Sequence, residues 1–369
     1  MKILQVVPHF SPCVGGLEKA VYDLTLQLKK RGHEVEVVTL NKCAKSGDEL
    51  RAKEIIDGIT VHRIPFTSFT YYAWAPKVME FVKGFDLLHI HGIGFFSDYL
   101  VWKKKEHKKP IVISTHGGIF HTEKIMWLKK LYFNYWCKGH LRDITIIAVS
   151  ENDKKLFSKI SNKVELIENA IDYGKFSSVP RNVEQDTYLF VGRISRNKRV
   201  EKLIDVFTLV VRENPVTKLF IVGGDWEGLV KGLKEKISGN GMDENIFMMG
   251  KLSDTELDEL RSRCEFFVSA SRYEGFGISL VEAMASGIVP VVNDIGAFRN
   301  IVEDGRNGYI VDYTFEKNVA KKLLSLSYEG GANYAELSAE ARNSAKKYAW
   351  ERAIKSFEGV YEKLLKGAN

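Results

Sequence analysis

Residues 274–282 read Glu-Gly-Phe-Gly-Ile-Ser-Leu-Val-Glu and follow a short apolar run at 266–268. This order predicts a strand, a glycine-containing loop and a helix that carries the second carboxylate. Glycines leave backbone N–H groups open to close approach, and the positive end of a helix stabilises an anion. The stretch therefore predicts a site for a ligand with a central phosphate and hydroxyl groups at both ends, such as a nucleotide-diphosphate sugar.

Short apolar runs alternate with amphipathic segments on both sides of this stretch. Apolar strands bounded by helices are typical of parallel sheets covered on both faces, so we predict an α/β protein. The runs form two series, and a polar segment at 172–186 is predicted to be the linker between them. The predicted strands span residues 3–7, 35–40, 60–64, 87–90, 111–114, 145–149, 188–191, 219–222, 246–249, 266–268, 289–292 and 309–311. The predicted helices span residues 17–30, 76–83, 124–138, 151–160, 201–212, 254–263, 279–286 and 315–325, before a helical tail at 333–366.

The size and charge of the chain agree with two soluble domains. A chain of 369 residues is long for one core, and 45% hydrophobic with 27% charged residues is an ordinary globular composition. The net charge of +7 suits an anionic ligand or an anionic membrane surface. A nucleic-acid-binding protein would be expected to show a steeper charge excess or a recognisable module, so we expect no nucleic-acid partner.

The cysteines and the apolar runs give expectations about location. Cys13, Cys43, Cys137 and Cys264 are far apart and form no CxxC pair. We therefore expect isolated reduced thiols in a cytosolic protein, with neither a zinc site nor a disulfide framework. The first residues read as a strand and not as a signal peptide, and no run of about 18 apolar residues predicts a membrane span.

A second loop carries basic residues. Residues 192–198, Gly-Arg-Ile-Ser-Arg-Asn-Lys, directly follow the apolar run at 188–191. Arg193 offers a planar fork of donors and Lys198 a compact charge, and together they can clamp a diphosphate. A solvated basic loop is the alternative, and the presence of the 274–282 stretch favours the clamp.

These segments together resemble the retaining glycosyltransferases of family 4. The resemblance spans most of the chain and is carried by residues 15–18, 192–198, 271–277, 282–292 and 302–308. It implies the GT-B fold, two Rossmann-like domains with parallel sheets facing a central cleft. Residues 1–178 would bind the acceptor, with a C-terminal helix at about 349–369 packing back on them, and residues 179–348 would bind the donor.

The resemblance also implies roles for residues at matching positions. Arg193 and Lys198 would bind the donor diphosphate, Glu274 would contact the transferred sugar, and Glu282 would hold the ribose hydroxyls. His116 matches a histidine near the reaction centre. The catalytic residues would be His116, Glu274, Arg193 and Lys198, and the donor-binding residues Gly15, Gly16, Arg193, Lys198, Glu274, Gly275, Phe276, Gly277, Ile278 and Glu282.

Each side chain also has an ordinary alternative role. Glu274 could cap the helix it precedes, Glu282 could be a solvated helix residue, and His116 could be a hydrogen-bonded structural histidine. His91 and His121 lie near similar loops, and for these two we expect structural roles.

Two positions depart from the family pattern. Arg199 stands where the family usually has glycine, which leaves the shape of the phosphate loop open. Residues 168–172, Glu-Asn-Ala-Ile-Asp, replace the more usual Pro-Asn-Gly-Val-Asp. Neither change removes a charged group. The chain has no Asp-x-Asp segment, so metal-bridged diphosphate binding lacks its ligands and we expect no metal ion. We also expect no cofactor, since the nucleotide-diphosphate sugar would be a substrate.

The implied reaction moves a hexose from a nucleotide-diphosphate sugar to a hydroxyl of a glycan, a lipid-linked or a small-molecule acceptor, with retention of configuration. Aromatic residues at 66–74 and 125–136 and a basic run at 103–109 suggest contact with an anionic membrane. A core helix and a solvated charge run are the alternative. We expect a cytoplasmic protein, either free or peripheral at the inner face of the membrane.

Other functions stay open at this point. A sugar-nucleotide 2-epimerase shares the architecture, and a non-catalytic sugar-nucleotide-binding protein would need the same binding residues. A nicotinamide dehydrogenase is a poor match, because residues 12–17 lack the Gly-x-Gly-x-x-Gly pattern. The nucleotide, the sugar, the acceptor and the oligomeric state are not indicated.

Overall fold

The computed structural model describes residues 1–13, 15–43, 47, 49–69, 72–116, 126–328 and 333–367. The chain divides into two compact units, Met1–Ala170 with Trp350–Asn369, and Ile171–Ala349. The segment at 172–186, predicted as the linker, lies within the second unit. It begins with a short helix because the Asp172 side chain accepts a hydrogen bond from the Lys175 N–H at 2.9 Å.

The first unit is built on a mainly parallel sheet. Within the described residues its strand order is β10-β9-β8-β7-β1-β2-β4-β3, and only β3 is antiparallel to its neighbour. A separate hairpin pairs β5 with β6. The strands are β1 (Lys2–Val6), β2 (Glu34–Leu40), β3 (Lys53–Ile56), β4 (Ile59–Ile64), β5 (Thr67–Phe69), β6 (Tyr72–Trp74), β7 (Leu87–His91), β8 (Ile111–Ser114), β9 (Thr145–Ala148) and β10 (Val164–Leu166).

Helices cover this sheet because its central strands, β1, β7, β8 and β9, are almost wholly buried on both faces. They are α1 (Gly16–Lys30), α2 (Phe95–Trp102), α3 (Lys104–His107), α4 (Met126–Leu131), α5 (Lys138–His140) and α6 (Glu151–Phe157). Short 3₁₀ turns occupy Pro76–Glu80 and Val82–Gly84, and a π-helical segment occupies Tyr132–Cys137.

The second unit has its own parallel sheet. Within the described residues the strand order is β13-β12-β11-β14-β15-β16. Its strands are β11 (Thr187–Val191), β12 (Lys218–Val222), β13 (Ile246–Gly250), β14 (Phe266–Ser269), β15 (Val289–Asn293) and β16 (Tyr309–Val311). Its helices are α7 (Tyr173–Ser177), α8 (Val200–Glu213), α9 (Val230–Gly239), α10 (Asp254–Arg263), α11 (Ile278–Ala285), α12 (Gly296–Arg299), α13 (Glu316–Tyr328) and α14 (Tyr334–Ala345), with 3₁₀ turns at Arg196–Lys198 and Lys346–Tyr348.

The last helix, α15 (Trp350–Lys366), belongs to the first unit. Trp350, Ile354, Phe357 and Tyr361 recur every three or four residues and are buried among residues of that unit's sheet. The chain therefore returns to the first unit after completing the second.

The expectation of four reduced thiols is wrong. Cys13 and Cys43 form a disulfide, with Cα atoms 5.5 Å apart, while Cys137 and Cys264 are free and buried. The two bonded cysteines follow β1 and β2, which are parallel neighbours. Loops that leave neighbouring parallel strands start at one edge of a sheet, and this brings together residues that lie 30 positions apart in the sequence.

No helix among the described residues combines the length and the apolar character needed to cross a membrane.

Candidate active site

The two loops predicted to bind phosphate lie side by side in the second unit. They follow β11 and β14, which are paired and parallel, with Tyr188 opposite Phe266. Asn197 joins the loops because its backbone oxygen accepts a hydrogen bond from the Arg272 N–H at 2.9 Å, and its side-chain amide donates to the Tyr273 carbonyl at 2.7 Å. Segments about 80 residues apart in sequence thus form one surface at the carboxyl edge of the sheet.

Lys198 and Glu274 contact each other within this surface. The Lys198 Nζ lies 2.5 Å from Glu274 Oε1, and the two side chains are only 15% and 16% exposed. Glu274 therefore serves as the counter-ion of Lys198. It is not the cap of α11, whose N-cap residue is Gly277 and has no side-chain hydrogen bond.

Arg193 lies on the exposed side of the same loop. Its guanidinium stacks over the Trp226 ring, 4.6 Å from the ring centroid. A planar cation held on an aromatic face keeps its N–H groups directed around the ring edge. The neighbouring Arg196 pairs with Glu227 at 3.9 Å, so the two arginines have different surroundings.

The residues at the start of α11 contribute backbone groups to the same surface. Gly277 has a φ of 116°, and a Cβ at this position would lie 3.2 Å from the Phe298 ring, so only glycine fits without strain. Phe276 is buried and packs edge-on against Tyr348 at 5.2 Å. With the Phe276 side chain in the core and no side chain at Gly277, the part of these two residues that a ligand can approach is the backbone.

Glu282 lies inside α11 and is buried. Its Oε2 accepts a hydrogen bond from Arg261 Nη2 at 3.1 Å, and Arg261 Nη1 also donates to Asp258 at 2.7 Å. The solvated-helix alternative for Glu282 is therefore wrong. Arg261 compensates the charge of the buried carboxylate, a partner that the sequence alone did not indicate.

Arg199 adopts the backbone shape that glycine would adopt. Its φ and ψ are 49° and 46°, in the left-handed region. The buried side chain donates from Nε to the Ala270 carbonyl at 2.7 Å, which fixes the residue against the end of β14. The loop therefore keeps a left-handed turn after Lys198 despite the departure from the family pattern.

The first unit contains Gly15 and Gly16, at the start of α1, and the candidate residue His116. Gly15 is the N-cap of α1, and a Cβ there would lie 2.1 Å from a Glu18 carboxylate oxygen. Gly16 is exposed and is the first helical residue. No side chain larger than hydrogen fits at residue 15 unless Glu18 moves.

His116 follows β8 and has a φ of 48°, a strained value for a residue with a side chain. Its Nε2 lies 2.9 Å from His91 Nδ1, and burial lowers the pKa of His116 to about 4. The ring is thus neutral at pH 7. Residues 117–125, which include His121, lie outside the described residues.

Sequence reasoning found the loops but missed the residues that contact their side chains from elsewhere in the chain. Trp226 contacts Arg193 and Arg261 contacts Glu282, yet neither partner lies in the segments that carried the resemblance. Gln5 contacts His91, for which only a structural role was expected. The grouping of His91 with another histidine could have been noticed in the sequence, because His89 and His91 lie two residues apart on one strand and therefore on the same face.

Comparisons with known proteins agree with the two-unit division. The family model described as glycosyl transferases group 1 matches residues 175–349. The model described as glycosyltransferase family 4 matches residues 14–175. A GDP-mannose:cellobiosyl-diphosphopolyprenol alpha-mannosyltransferase of Xanthomonas campestris is 30% identical over 99% of this chain and 97% of its own length. The enzyme of that name from Komagataeibacter xylinus is 30% identical over 99% and 94%.

Solved structures show the same fold at lower identity. Anabaena HepE in complex with UDP has a TM-score of 0.78 and 18% identity, covering 98% of this chain and 100% of that one. Sucrose-phosphate synthase from Thermosynechococcus elongatus has a TM-score of 0.76 and 17% identity, covering both chains fully. The predicted fold class and enzyme class are confirmed. The chain therefore belongs to the group 1, family 4 glycosyltransferases and has the GT-B fold.

Proposed function

We propose that this chain transfers a hexose from a nucleotide-diphosphate sugar to a hydroxyl of a lipid-linked glycan, with retention of configuration and without a metal ion. One observation carries the proposal. Lys198 and Arg193 lie on one loop, beside the glycine-containing start of α11, at the carboxyl edge of a parallel sheet. Cations and backbone amides grouped in this way favour a diphosphate.

The names of the relatives suggest which substrates to try first. Two relatives that are 30% identical over nearly the whole chain are named for GDP-mannose as donor and a diphosphopolyprenol-linked glycan as acceptor. We propose GDP-mannose and an acceptor of that class, with UDP-sugars as the alternative donors.

In the proposed reaction, the bond between the sugar C1 and the phosphate oxygen breaks, and a bond from C1 to the acceptor oxygen forms on the same face. The acceptor proton passes to the leaving phosphate oxygen. Lys198, Arg193 and the amides at 275–278 stabilise the growing negative charge, usually the largest catalytic term. The donor phosphate takes the place of Glu274 beside Lys198, and the released carboxylate accepts hydrogen bonds from sugar hydroxyls. Glu282, oriented by Arg261, receives the ribose hydroxyls.

The test is transfer from GDP-mannose, and in parallel from UDP-glucose, to a polyprenyl-diphosphate-linked disaccharide. Lys198→Ala and Arg193→Ala should each lower turnover by two to three decades, the usual cost of about 3–4 kcal/mol for one oxyanion donor. Arg196→Ala is the matched control, since this arginine of the same loop pairs with Glu227 and should be dispensable. Near-normal turnover in Lys198→Ala and Arg193→Ala would contradict the clamp.

Three readouts of the same reaction test the finer claims. The anomeric configuration of the product, read by NMR, should match that of the donor. Turnover in excess EDTA should equal turnover with added Mg²⁺ or Mn²⁺. Incubation of the donor alone should leave its sugar unchanged, whereas a 2-epimer would identify an epimerase.

The first unit carries a surface that we propose contacts an anionic membrane. In α4 and the π-helical segment that follows it, Phe133 and Cys137 face the core. Large apolar side chains on the other side are exposed, which supports membrane contact over the alternative of a core helix. These exposed side chains are Trp127, Leu128, Leu131, Tyr135 and Trp136, and lysines 129, 130 and 138 lie among them. Exposed aromatic residues interleaved with lysines are typical of membrane-surface segments.

Membrane contact can be tested by sedimentation with phosphatidylglycerol vesicles at moderate salt. The wild-type protein should bind these and not phosphatidylcholine vesicles. Trp127→Ser with Leu131→Ser should weaken binding at least about tenfold, since burying one large apolar side chain is worth about 2 kcal/mol. Val216→Ser, which alters an exposed residue of the second unit, is the control. Equal binding by the double variant would rule out this surface.

A further inference from the structure

A chain of buried polar side chains ends at His116. Gln5 on β1 and His91 on β7 are fully buried, and their strands are adjacent in the sheet. Gln5 Oε1 lies 2.5 Å from His91 Nε2, and His91 Nδ1 lies 2.9 Å from His116 Nε2. Two side chains on adjacent strands and one just after the end of β8 are thus hydrogen-bonded in series.

The direction of these hydrogen bonds follows from the first partner. An amide oxygen only accepts, so His91 must carry its proton on Nε2 and donate it to Gln5. Burial lowers the pKa of His91 well below its usual value, so that ring is neutral and its Nδ1 is an acceptor. His116 must then donate from Nε2, which leaves its own Nδ1 without a proton.

We propose that Gln5 and His91 are positioning residues that hold His116 in the Nε2–H tautomer, so that Nδ1 accepts a hydrogen bond from a substrate hydroxyl. This inference rests on the proposed function. His116 is the member of the series that is not fully buried, so it is the one a substrate can reach. The left-handed backbone at His116 restricts where its side chain begins, and the hydrogen bond from Nε2 to the buried His91 ring restricts how its own ring is oriented.

The tautomer can be observed without turnover. In protein labelled with ¹⁵N-histidine, long-range ¹H–¹⁵N spectra distinguish a protonated ring nitrogen from an unprotonated one. His116→Asn assigns the His116 signals among the nine histidines. The wild-type spectrum should show His116 protonated on Nε2. Gln5→Leu, which removes the acceptor, should shift His116 toward the Nδ1–H form, and Gln5→Met is a second variant of similar volume should Gln5→Leu not fold.

The kinetic effect should follow the tautomer. Transfer from the active donor should fall at least about tenfold in Gln5→Leu, the worth of one buried hydrogen bond. Binding of the matching nucleoside diphosphate should be unchanged, because that group is proposed to bind the second unit. Ser114→Ala is the matched control. This substitution removes the Ser114 hydroxyl, whose Oγ lies 2.7 Å from Nε2 of the buried His89. It leaves the hydrogen bonds from Gln5 through His91 to His116 intact.

The outcomes separate this inference from the proposed function. An inactive wild-type enzyme with every donor would refute the proposed function and leave the spectroscopic result as the test of the tautomer. An active wild-type enzyme whose His116 carries its proton on Nδ1 would overturn the inference. So would a Gln5→Leu enzyme with both the wild-type tautomer and wild-type transfer.

Discussion

At the scale of single residues, the main finding is that two side chains predicted to bind the ligand form an ion pair with each other. Lys198 and Glu274 are mostly buried and lie 2.5 Å apart, so each satisfies the charge of the other. A diphosphate must compete with the carboxylate for the lysine. The pair therefore sets the strength of donor binding as well as the stability of the loop.

Glu274→Gln tests this competition. Removing the carboxylate charge should tighten binding of the nucleoside diphosphate about two- to fivefold, the usual worth of such an ion pair. Transfer should fall, because a neutral amide oxygen is a weaker hydrogen-bond acceptor for the sugar hydroxyls than a carboxylate. Calorimetry measures the first effect and product formation the second. Glu227→Gln, which removes the partner of Arg196, should change neither quantity. Weaker diphosphate binding in Glu274→Gln would show that the carboxylate does not compete.

Two buried histidines, His89 and His91, and the partly buried His116 give the stability of the protein a pH dependence. Burial lowers the pKa of His116 to about 4, below the value near 6.5 in an unfolded chain. The unfolded state therefore binds more protons between these values, and stability present above pH 6.5 is lost as the pH falls toward 4. The same sign holds for His89 and His91, whose pKa values burial also lowers.

The variant His116→Asn measures the contribution of His116 to this pH dependence. Between pH 7 and pH 5 its free energy of unfolding should fall by about 2 kcal/mol less than that of the wild-type protein. Between pH 7 and pH 8 the two proteins should change alike, which serves as the internal control. Urea unfolding at the three pH values measures the difference, and equal losses at pH 5 would mean that His116 is not buried as a neutral ring.

At the scale of elements, the apolar strands and the loops after them could be predicted from sequence, because their signal is local. The predicted strand at 111–114 and the helix at 254–263 have the observed bounds. Strand order depends on pairing between distant segments, so the strand pattern alone could not predict the contact of the loops at 192–198 and 270–277, and only the family resemblance implied that both bind the donor.

Elements without a clear period were missed or overextended. The hairpin of β5 and β6 and the helix α2, an almost wholly apolar run, were not predicted. The predicted helix at 124–138 is α4 followed by a π-helical segment. The backbone conformation of Arg199 also could not be predicted. The sequence shows only that arginine replaces the usual glycine, whereas the structure shows a left-handed backbone at Arg199 and a hydrogen bond from its side chain to the Ala270 carbonyl.

The disulfide connects the loops after β1 and β2, and it gives a prediction at this scale. In denatured, unreduced protein, a thiol reagent should react with two of the four cysteines, Cys137 and Cys264. Replacing Cys13 and Cys43 by serine should lower the free energy of unfolding by about 3.6 kcal/mol, as expected for a closed loop of this length. Four reactive thiols before reduction would show that the bond does not form.

At the scale of the whole molecule, the candidate residues divide between two units that each have their own sheet and core. Lys198, Arg193, Glu274 and Glu282 belong to the second unit, and His116 to the first. Donor affinity and turnover should accordingly respond to different sets of substitutions. Changes around His116 should lower transfer and spare diphosphate binding, while changes at Lys198 should affect both.

The central claim is that protein cations and backbone amides of the second unit hold the diphosphate. The most direct measurement is calorimetric titration of the intact chain with GDP, and in parallel with UDP, in the presence of EDTA. One of the two should bind the wild-type protein and Arg196→Ala equally well, and bind Lys198→Ala at least about tenfold more weakly. Unchanged affinity in Lys198→Ala, or binding that requires added Mg²⁺ or Mn²⁺, would contradict the claim.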